Sequence, residues 1–439
     1  MTETNDHVFY SWSAQDEINP VEIVSSEGST ITDADGNTFL DFTSQLVFTN
    51  LGHQNPRLIQ AIKDQADKLA VIAPAYKNAT RTELAGRIAD AAPGGLNYVF
   101  FTNSGAEANE HAVRMARFHT GRKKVLSAYR SYHGATATAM TLTGEPRRWA
   151  NDNLDAHVGR FFGPYSYRSP FHSDSPEQET ERALEHLEQS IILEGADTIA
   201  AVILETVVGT NGVLVPPPGY LKGLRELCDT YGIVWIADEV MVGFGRTGKM
   251  FAVENFDATP DLLTFAKGVN SGYVPLGGVI MTTDVRNTFA HRAYPGGLTY
   301  SGHPLACGAG VETFKIFEEE KILDRVNELA DRVIQPALVE LAAKHDIIGE
   351  VRGLGMFWAL ELVKNRETRE PLVPFAAKGE DNAPMAAIGA ACKKAGLLVI
   401  VGGNRIQIAP PLTVSEEELR RGLQIIDEAL TEAGQHYEG

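Results

Sequence analysis

Gly232-Ile233-Val234-Trp235-Ile236-Ala237-Asp238-Glu239 and Leu262-Leu263-Thr264-Phe265-Ala266-Lys267-Gly268 decide the fold of this chain. Each is a short apolar run that ends on a charged residue. Runs of this length bounded by Gly or charge read as strands buried on both faces, and such strands belong to parallel sheets. The two charged ends lie 267 − 238 = 29 positions apart, room for one crossover between neighbouring parallel strands. Parallel sheets bind ligands outside the carboxyl ends of their strands, where Asp238 and Lys267 fall. Buried lysines are rare unless paired or chemically employed, and desolvation frees the amine's lone pair for attack on a carbonyl. Taken singly, each residue has an ordinary reading: a helix cap for Asp238, a snorkelling surface lysine for Lys267. As a pair on adjacent strand ends they suit pyridoxal phosphate held as a Schiff base, with the carboxylate opposite the pyridine nitrogen.

Outward from these strands the pattern alternates. Helical periodicity covers 57–69, 81–91 and 106–119, and Leu221, Leu224, Leu227 and Cys228 mark one face of a further helix. Strands are predicted at 98–101, 124–127 and 199–204, the last ending at Glu205. This is the α/β class, a mostly parallel central sheet with helices on both faces. After about residue 305 the texture changes to a long amphipathic helix over 308–344, broken near Lys321, then a strand at 356–363. A polar loop at 367–383 and strands at 397–401 and 406–408 follow. Ser415-Glu416-Glu417-Glu418 is a capping box opening the last helix. Residues 19–50 read as an antiparallel element with a hairpin turn at Asp35-Gly36. The expected domains are 1–55 as an N-terminal part of a smaller α+β domain, 56–315 as the large cofactor-binding domain, and 316–439 as the remainder of the small one.

Composition narrows the function classes. The net charge of −18 over 439 residues argues against nucleic-acid binding, which needs basic patches. No apolar run is long enough to span a bilayer, and the first residues lack a signal peptide's pattern. Three cysteines do not make a disulfide framework and favour reduced thiols. A cytoplasmic enzyme is the expectation, with no membrane or nucleic-acid partner and no metal.

Other stretches bear on chemistry. Ser104-Gly105-Ala106-Glu107 follows a predicted strand and opens a helix, the arrangement that offers backbone N–H groups to a phosphate. Tyr132-His133-Gly134 follows another strand, placing an aromatic ring where it can stack on a planar cofactor. Gly243-Phe244-Gly245-Arg246-Thr247-Gly248-Lys249 fits the first seven positions of a nucleotide P-loop, but Met250 replaces the hydroxyl residue that holds magnesium. The segment also follows the acidic strand end in the wrong order for an ATPase.

With these pieces in place, the chain resembles the class III pyridoxal-phosphate aminotransferases, in the ω-aminotransferase subgroup. The resemblance rests on the runs 101–109, 131–134, 236–240, 243–248 and 266–268, together with Thr299-Tyr300-Ser301-Gly302-His303-Pro304. It implies a fold-type I homodimer (or a tetramer built from it) with active sites at the subunit interface. Lys267 then carries the cofactor, Asp238 pairs with its ring nitrogen, and Tyr132 and Val240 cover the two ring faces. Ser104, Gly105 and Ala106 hold the phosphate with Thr299 of the partner subunit, while His133 and Glu205 stand beside the ring. An amine donor and an oxo-acid acceptor, pyruvate or 2-oxoglutarate, would react in turn. An aminomutase or a decarboxylating transaminase would share Lys267 and Asp238.

Substrate choice is where this sequence departs from its relatives. Ornithine- and aminobutyrate-type members place Arg before an Ala-Pro-Pro segment and often a Glu that masks it. Here Gln407 and Thr210 fill those positions, and Ala135 stands where aminobutyrate-type members carry another Arg. Arg405 is the candidate replacement, a fork suited to a carboxylate or sulfonate. Leu46, Val47 and Phe48 are expected to line an apolar entrance. The favoured donors are therefore an ω-amino acid, taurine or a simple amine.

Overall fold

The computed structural model describes residues 7–151 and 155–439. Its centre is a seven-stranded sheet in the order Leu96–Thr102, Gly277–Thr282, Leu262–Phe265, Val234–Asp238, Ile199–Glu205, Lys124–Ala128, Val158–Phe161. The pairings among the last five are all parallel. The strands Ile199–Glu205, Val234–Asp238 and Leu262–Phe265 are buried along their whole lengths, which is why their sequences are unbroken apolar runs rather than alternating ones.

Gly277–Thr282 runs antiparallel to both of its neighbours, and the sequence reading omits it. Its opening Gly277-Gly278 pair looks like a turn, but a Cβ on Gly277 would stand 2.8 Å from the Ser104 carbonyl oxygen and 2.9 Å from that of Phe265. Only glycine lets the three strands close at this point. The sequence reading also passes over the strands Val158–Phe161 and Ile348–Leu354 and the helix Pro176–Glu194.

Two smaller sheets flank the centre. Ile23–Glu27, Thr30–Asp33 and Thr38–Asp41 form an antiparallel meander, and Leu397–Leu398 adds to its edge in parallel. Asp33 closes the turn by accepting the backbone N–H groups of Asp35 and Asn37. The second small sheet orders Ile348–Leu354, Phe357–Asn365, Arg405–Ile408 and Ile400–Gly402. The stretch expected as a loop at 367–383 contains a short strand, Glu370–Pro371, paired to Phe357–Asn365. One apolar cluster joins Leu40, Phe42 and Leu51 to Ile316, Leu338, Leu360, Leu397 and Leu430, so both ends of the chain share a core.

The long C-terminal helical stretch does break at Lys321, whose φ is +50°; Pro304–Glu319 lies before it and Ile322–Leu329 after it. The final helix, Glu416–Ala433, opens with the capping box: Glu418 N–H donates to Ser415 Oγ, and Ser415 N–H donates to the Glu418 carboxylate. Such a cap contributes about 1 kcal/mol. Among the described residues no helix is long and apolar enough to cross a membrane.

Candidate active site

The parallel strands end together on one side of the sheet, and five chemistry-bearing residues end with them. Glu205 and Asp238 are register partners on adjacent strands. Lys267 follows the Leu262–Phe265 strand at φ +49°, a backbone conformation uncommon for a side-chain-bearing residue. Tyr132 and His133 lie just beyond the end of Lys124–Ala128. A cavity of about 430 Å³ opens over these ends, lined by Gly105, Asn109, Tyr132, His133, Glu205, Asp238, Val240 and Lys267, among others.

Asp238 is buried and held from several directions. Its Oδ2 accepts from Asn109 Nδ2 at 2.7 Å and lies 2.7 Å from His133 Nδ1; its Oδ1 accepts from the Val240 N–H at 3.0 Å. Glu205 is anchored by backbone N–H donors, Tyr132 to Oε1 and Gly209 to Oε2, both at 2.8 Å. Burial raises the Glu205 carboxyl to about 7, with the Asp238 charge adding to the rise and His133 opposing it. Lys267 is pushed the other way: burial lowers its amine to about 8 against the opposing pull of Asp238 and Glu205. More free amine is therefore present near neutral pH than an ordinary lysine offers, which favours carbonyl chemistry.

The other end of this group is a phosphate-sized cradle. Gly105–Thr120 is a sixteen-residue helix whose N-cap Ser104 accepts the Glu107 N–H at 3.2 Å, leaving the Gly105 and Ala106 N–H groups without intrahelical acceptors. A Cβ on Gly105 would collide with Val240 at 2.6 Å, so glycine is required where this helix meets the residue after Asp238-Glu239. A second cavity, about 230 Å³, runs past Ser104, Gly105, Val240 and Lys267 to Phe48 and Asn270. A lowered amine, a positioned carboxylate, a neighbouring aromatic ring and a helix N-terminus on one cavity match the donor set that pyridoxal phosphate needs.

Not every residue singled out by sequence lies here. Leu46 and Val47 line the larger cavity, as does Gln407, whereas Phe48 faces the second one. Val47 has φ +57° and Gln45 +60°, so this entrance segment carries backbone strain. Arg405 does not line either cavity; its guanidinium donates to the Thr210 carbonyl. Thr299 is exposed and lines neither. The P-loop-like segment folds back on itself, with the Phe244 N–H donating to the Met250 carbonyl at 2.6 Å. Its Arg246 is fully buried and donates to Asn50 Oδ1, Ser44 Oγ and the carbonyls of Met356 and Pro410. That arginine ties the N-terminal segment to the C-terminal one; no phosphate cradle exists there.

Arg147 and Trp12 are among the cavity residues not singled out from sequence. Arg147 projects from the turn Pro146–Asn151 with its guanidinium 3.9 Å from the Tyr132 ring centre and 5.6 Å from that of Trp12. Its Nε pairs with Glu145, while Nη2 is buried with no hydrogen-bond partner among the described residues. Trp12, from the N-terminal segment, lines the same cavity. Neither lies in a recognisable motif, and nothing local in the sequence joins positions 12, 132 and 147.

Comparison with known proteins accords with this geometry. The sequence profile of the aminotransferase class-III family matches residues 12–430. A taurine:2-oxoglutarate aminotransferase from Bifidobacterium kashiwanohense, solved with PLP and glutamate, has a TM-score of 0.93 at 41% identity, covering 98% of this chain and 96% of that one. A putrescine–pyruvate aminotransferase of Pseudomonas aeruginosa is 36% identical over 414 residues, 90% of this chain and 87% of its own length. The chloroplastic gamma aminobutyrate transaminase 3 of Solanum lycopersicum is 35% identical over 428 residues, 93% of this chain and 80% of its own.

Proposed function

This chain belongs to the class III aminotransferases and is a transaminase of fold type I that uses pyridoxal phosphate, and we propose that its donor carries a primary amine at one end and a carboxylate or sulfonate at the other. The supporting observation is Arg147: an unpartnered, buried Nη2 on a guanidinium stacked between two aromatic rings, in the same cavity as Lys267. A stacked, rigid fork suits a carboxylate or sulfonate. Leu46, Val47, Met241 and Ile400 give the same cavity an apolar wall that suits a methylene spacer, with Thr210 and Gln407 among its polar members. ω-Amino acids and taurine have this shape, and pyruvate or 2-oxoglutarate is the acceptor in this reading. A simple amine without the anionic tail is the second reading, favoured by the same apolar wall.

Bound pyridoxal phosphate supplies an electron sink that lets a proton leave the carbon bearing the amine. In this reading Asp238 keeps the ring nitrogen protonated, Ser104, Gly105 and Ala106 bind the phosphate, and Tyr132 and Val240 hold the ring between them. Lys267 would hold the cofactor; once displaced by the incoming amine, its Nζ would take the substrate proton and deliver it to the cofactor's aldehyde carbon. Glu205 and His133 fix the ring's surroundings. The molecule is proposed to work as a homodimer, with the partner subunit's Thr299 completing the phosphate site. Its three cysteines are free and buried, which fits the reducing cytosol.

The test is the donor half-reaction without acceptor, followed with taurine, β-alanine and 4-aminobutyrate against alkylamines. Arg147→Leu should weaken the anionic donors by roughly 10- to 100-fold, the worth of a hydrogen bond to a charged group, and leave alkylamines nearly unchanged. An equal loss for both classes contradicts the anion role of Arg147.

A further inference from the structure

We propose that Asn109 is a positioning residue for Asp238, its amide N–H side turned to the carboxylate while the Thr264 hydroxyl satisfies its carbonyl oxygen. Asn109 sits on the inner face of the Gly105–Thr120 helix, buried, and lines the Lys267 cavity. Both of its amide N–H donors are committed, and its amide oxygen accepts one hydrogen bond. Thr264 Oγ donates to Asn109 Oδ1 at 2.8 Å; Asn109 Nδ2 donates to Asp238 Oδ2 and to the His133 carbonyl, both at 2.7 Å. The Asp238 carboxylate and the His133 carbonyl can only accept, so the NH₂ side turns to them, and the Thr264 hydroxyl donates to the oxygen on the other side.

The arrangement locks three elements at one atom. Thr264 is the register partner of Asp238 on the neighbouring strand, Asn109 comes from the helix whose N-terminus forms the phosphate cradle, and His133 comes from the loop after Lys124–Ala128. Asp238 Oδ2 is thereby occupied by protein contacts. Among the described residues its Oδ1 takes only the Val240 N–H, at 3.0 Å, and keeps a lone pair for a ring nitrogen. The charged or titratable groups around it are Glu205 on one adjacent strand, Lys267 after the other, and His133, with Arg147 and Arg246 also acting on Lys267. The inference rests on the cofactor reading of the cavity and extends it to a residue that touches neither the substrate nor the reacting atoms.

Two substitutions separate this role from simple packing. Asn109→Asp is nearly isosteric but sets a second carboxyl 2.7 Å from Asp238 Oδ2; carboxyls that close share a proton, so Asp238 holds the ring proton less firmly. Thr264→Val keeps the shape and leaves the buried amide oxygen of Asn109 without its donor, loosening the side chain that holds Asp238. Each is prepared as holoenzyme, and the pH midpoint of the cofactor's visible band, cofactor loss on dialysis, kcat and KM, and the apoenzyme melting temperature are measured. The expected result is a raised band midpoint, because a ring that holds its proton less withdraws less charge from the lysine-linked nitrogen. Faster cofactor loss should accompany it, with kcat down roughly 10- to 100-fold in Asn109→Asp and less in Thr264→Val, as for loss of a hydrogen bond to a charged group, at nearly unchanged KM. A wild-type band midpoint in both variants, whatever their melting temperatures, overturns the proposal. Should Asn109→Asp not fold, the band midpoint of Thr264→Val alone decides in the same way. Lysine-linked cofactor in the wild-type protein tests the underlying site reading separately.

Discussion

The two ends of the Lys267 cavity are built differently. At the sheet end, Glu205, Asp238 and Lys267 stand on consecutive strand ends, and Asn109, Gly105 and Val240 lock helix to sheet through contacts as short as 2.7 Å. At the outer end, Trp12, Leu46, Arg147, Thr210, Ile400 and Gln407 come from six separate segments, and the entrance backbone at Gln45 and Val47 lies in the left-handed region. The first end is fixed by the fold's hydrogen-bonded ladder, so its geometry cannot vary without rearranging the sheet. The second is a convergence of loops whose side chains can change one at a time. A cofactor common to the family belongs at the first and a substrate particular to one member at the second.

Substitutions at the two ends should therefore fail differently. Lys267→Ala removes the proton-moving amine and the covalent tether together, and kcat should fall by about 10⁴-fold with every donor; donor-selective loss in that variant would merge the two ends into one. Arg147→Leu should divide the donors instead, as described above, with kcat for alkylamines retained. If both variants lost all donors alike, the division between ends would not hold.

Titration sharpens the sheet end further. Because burial lowers Lys267 to about 8, capture of pyridoxal phosphate by apoenzyme should accelerate as pH rises through 8 and level off above it, read by the growth of the visible band in stopped flow. A midpoint near 10, the range of an ordinary lysine, would mean that the amine is not desolvated.

The smallest expected effect concerns Glu239. Its carboxylate accepts the N–H groups of Ala252 and Val253 and the Thr206 hydroxyl, yet burial raises it to about 7 from 4.5, as it does Glu205. A carboxyl raised in the folded state contributes stability that is complete below about 4.5 and is lost as pH climbs through 7. The apoenzyme melting temperature should therefore fall between pH 5 and pH 8. Glu239→Gln should melt lower throughout, since the amide oxygen cannot accept from all three donors, but with a shallower pH slope. An unchanged slope removes Glu239 from the linkage.

The same contrast explains what was legible in the sequence. Val234–Asp238 and Leu262–Phe265 could be read because a strand buried on both faces must be apolar throughout, and its end is marked by the first charge. Ser104-Gly105-Ala106 was legible because a strand, a small-residue turn and a helix follow one another locally. Gly277–Thr282 was missed because its glycines serve a close approach to Ser104 and Phe265, a fact about neighbours distant in sequence. Arg147 was missed for a related reason: its meaning comes from Tyr132 and Trp12. Arg405, favoured for its position before Gln407, donates from Nη2 to the Thr210 carbonyl and lines neither cavity, although its Nε is buried with no partner among the described residues. Asn109 lay inside a quoted motif, but its role depends on Thr264 and Asp238, which only the folded sheet brings to it.

Borohydride reduction of cofactor-loaded protein, followed by proteolysis and mass mapping, addresses the covalent attachment directly. The expected result is a single pyridoxyl adduct on the peptide containing Lys267. A label on any other lysine, with Lys267 recovered unmodified, would contradict the assignment of the catalytic amine.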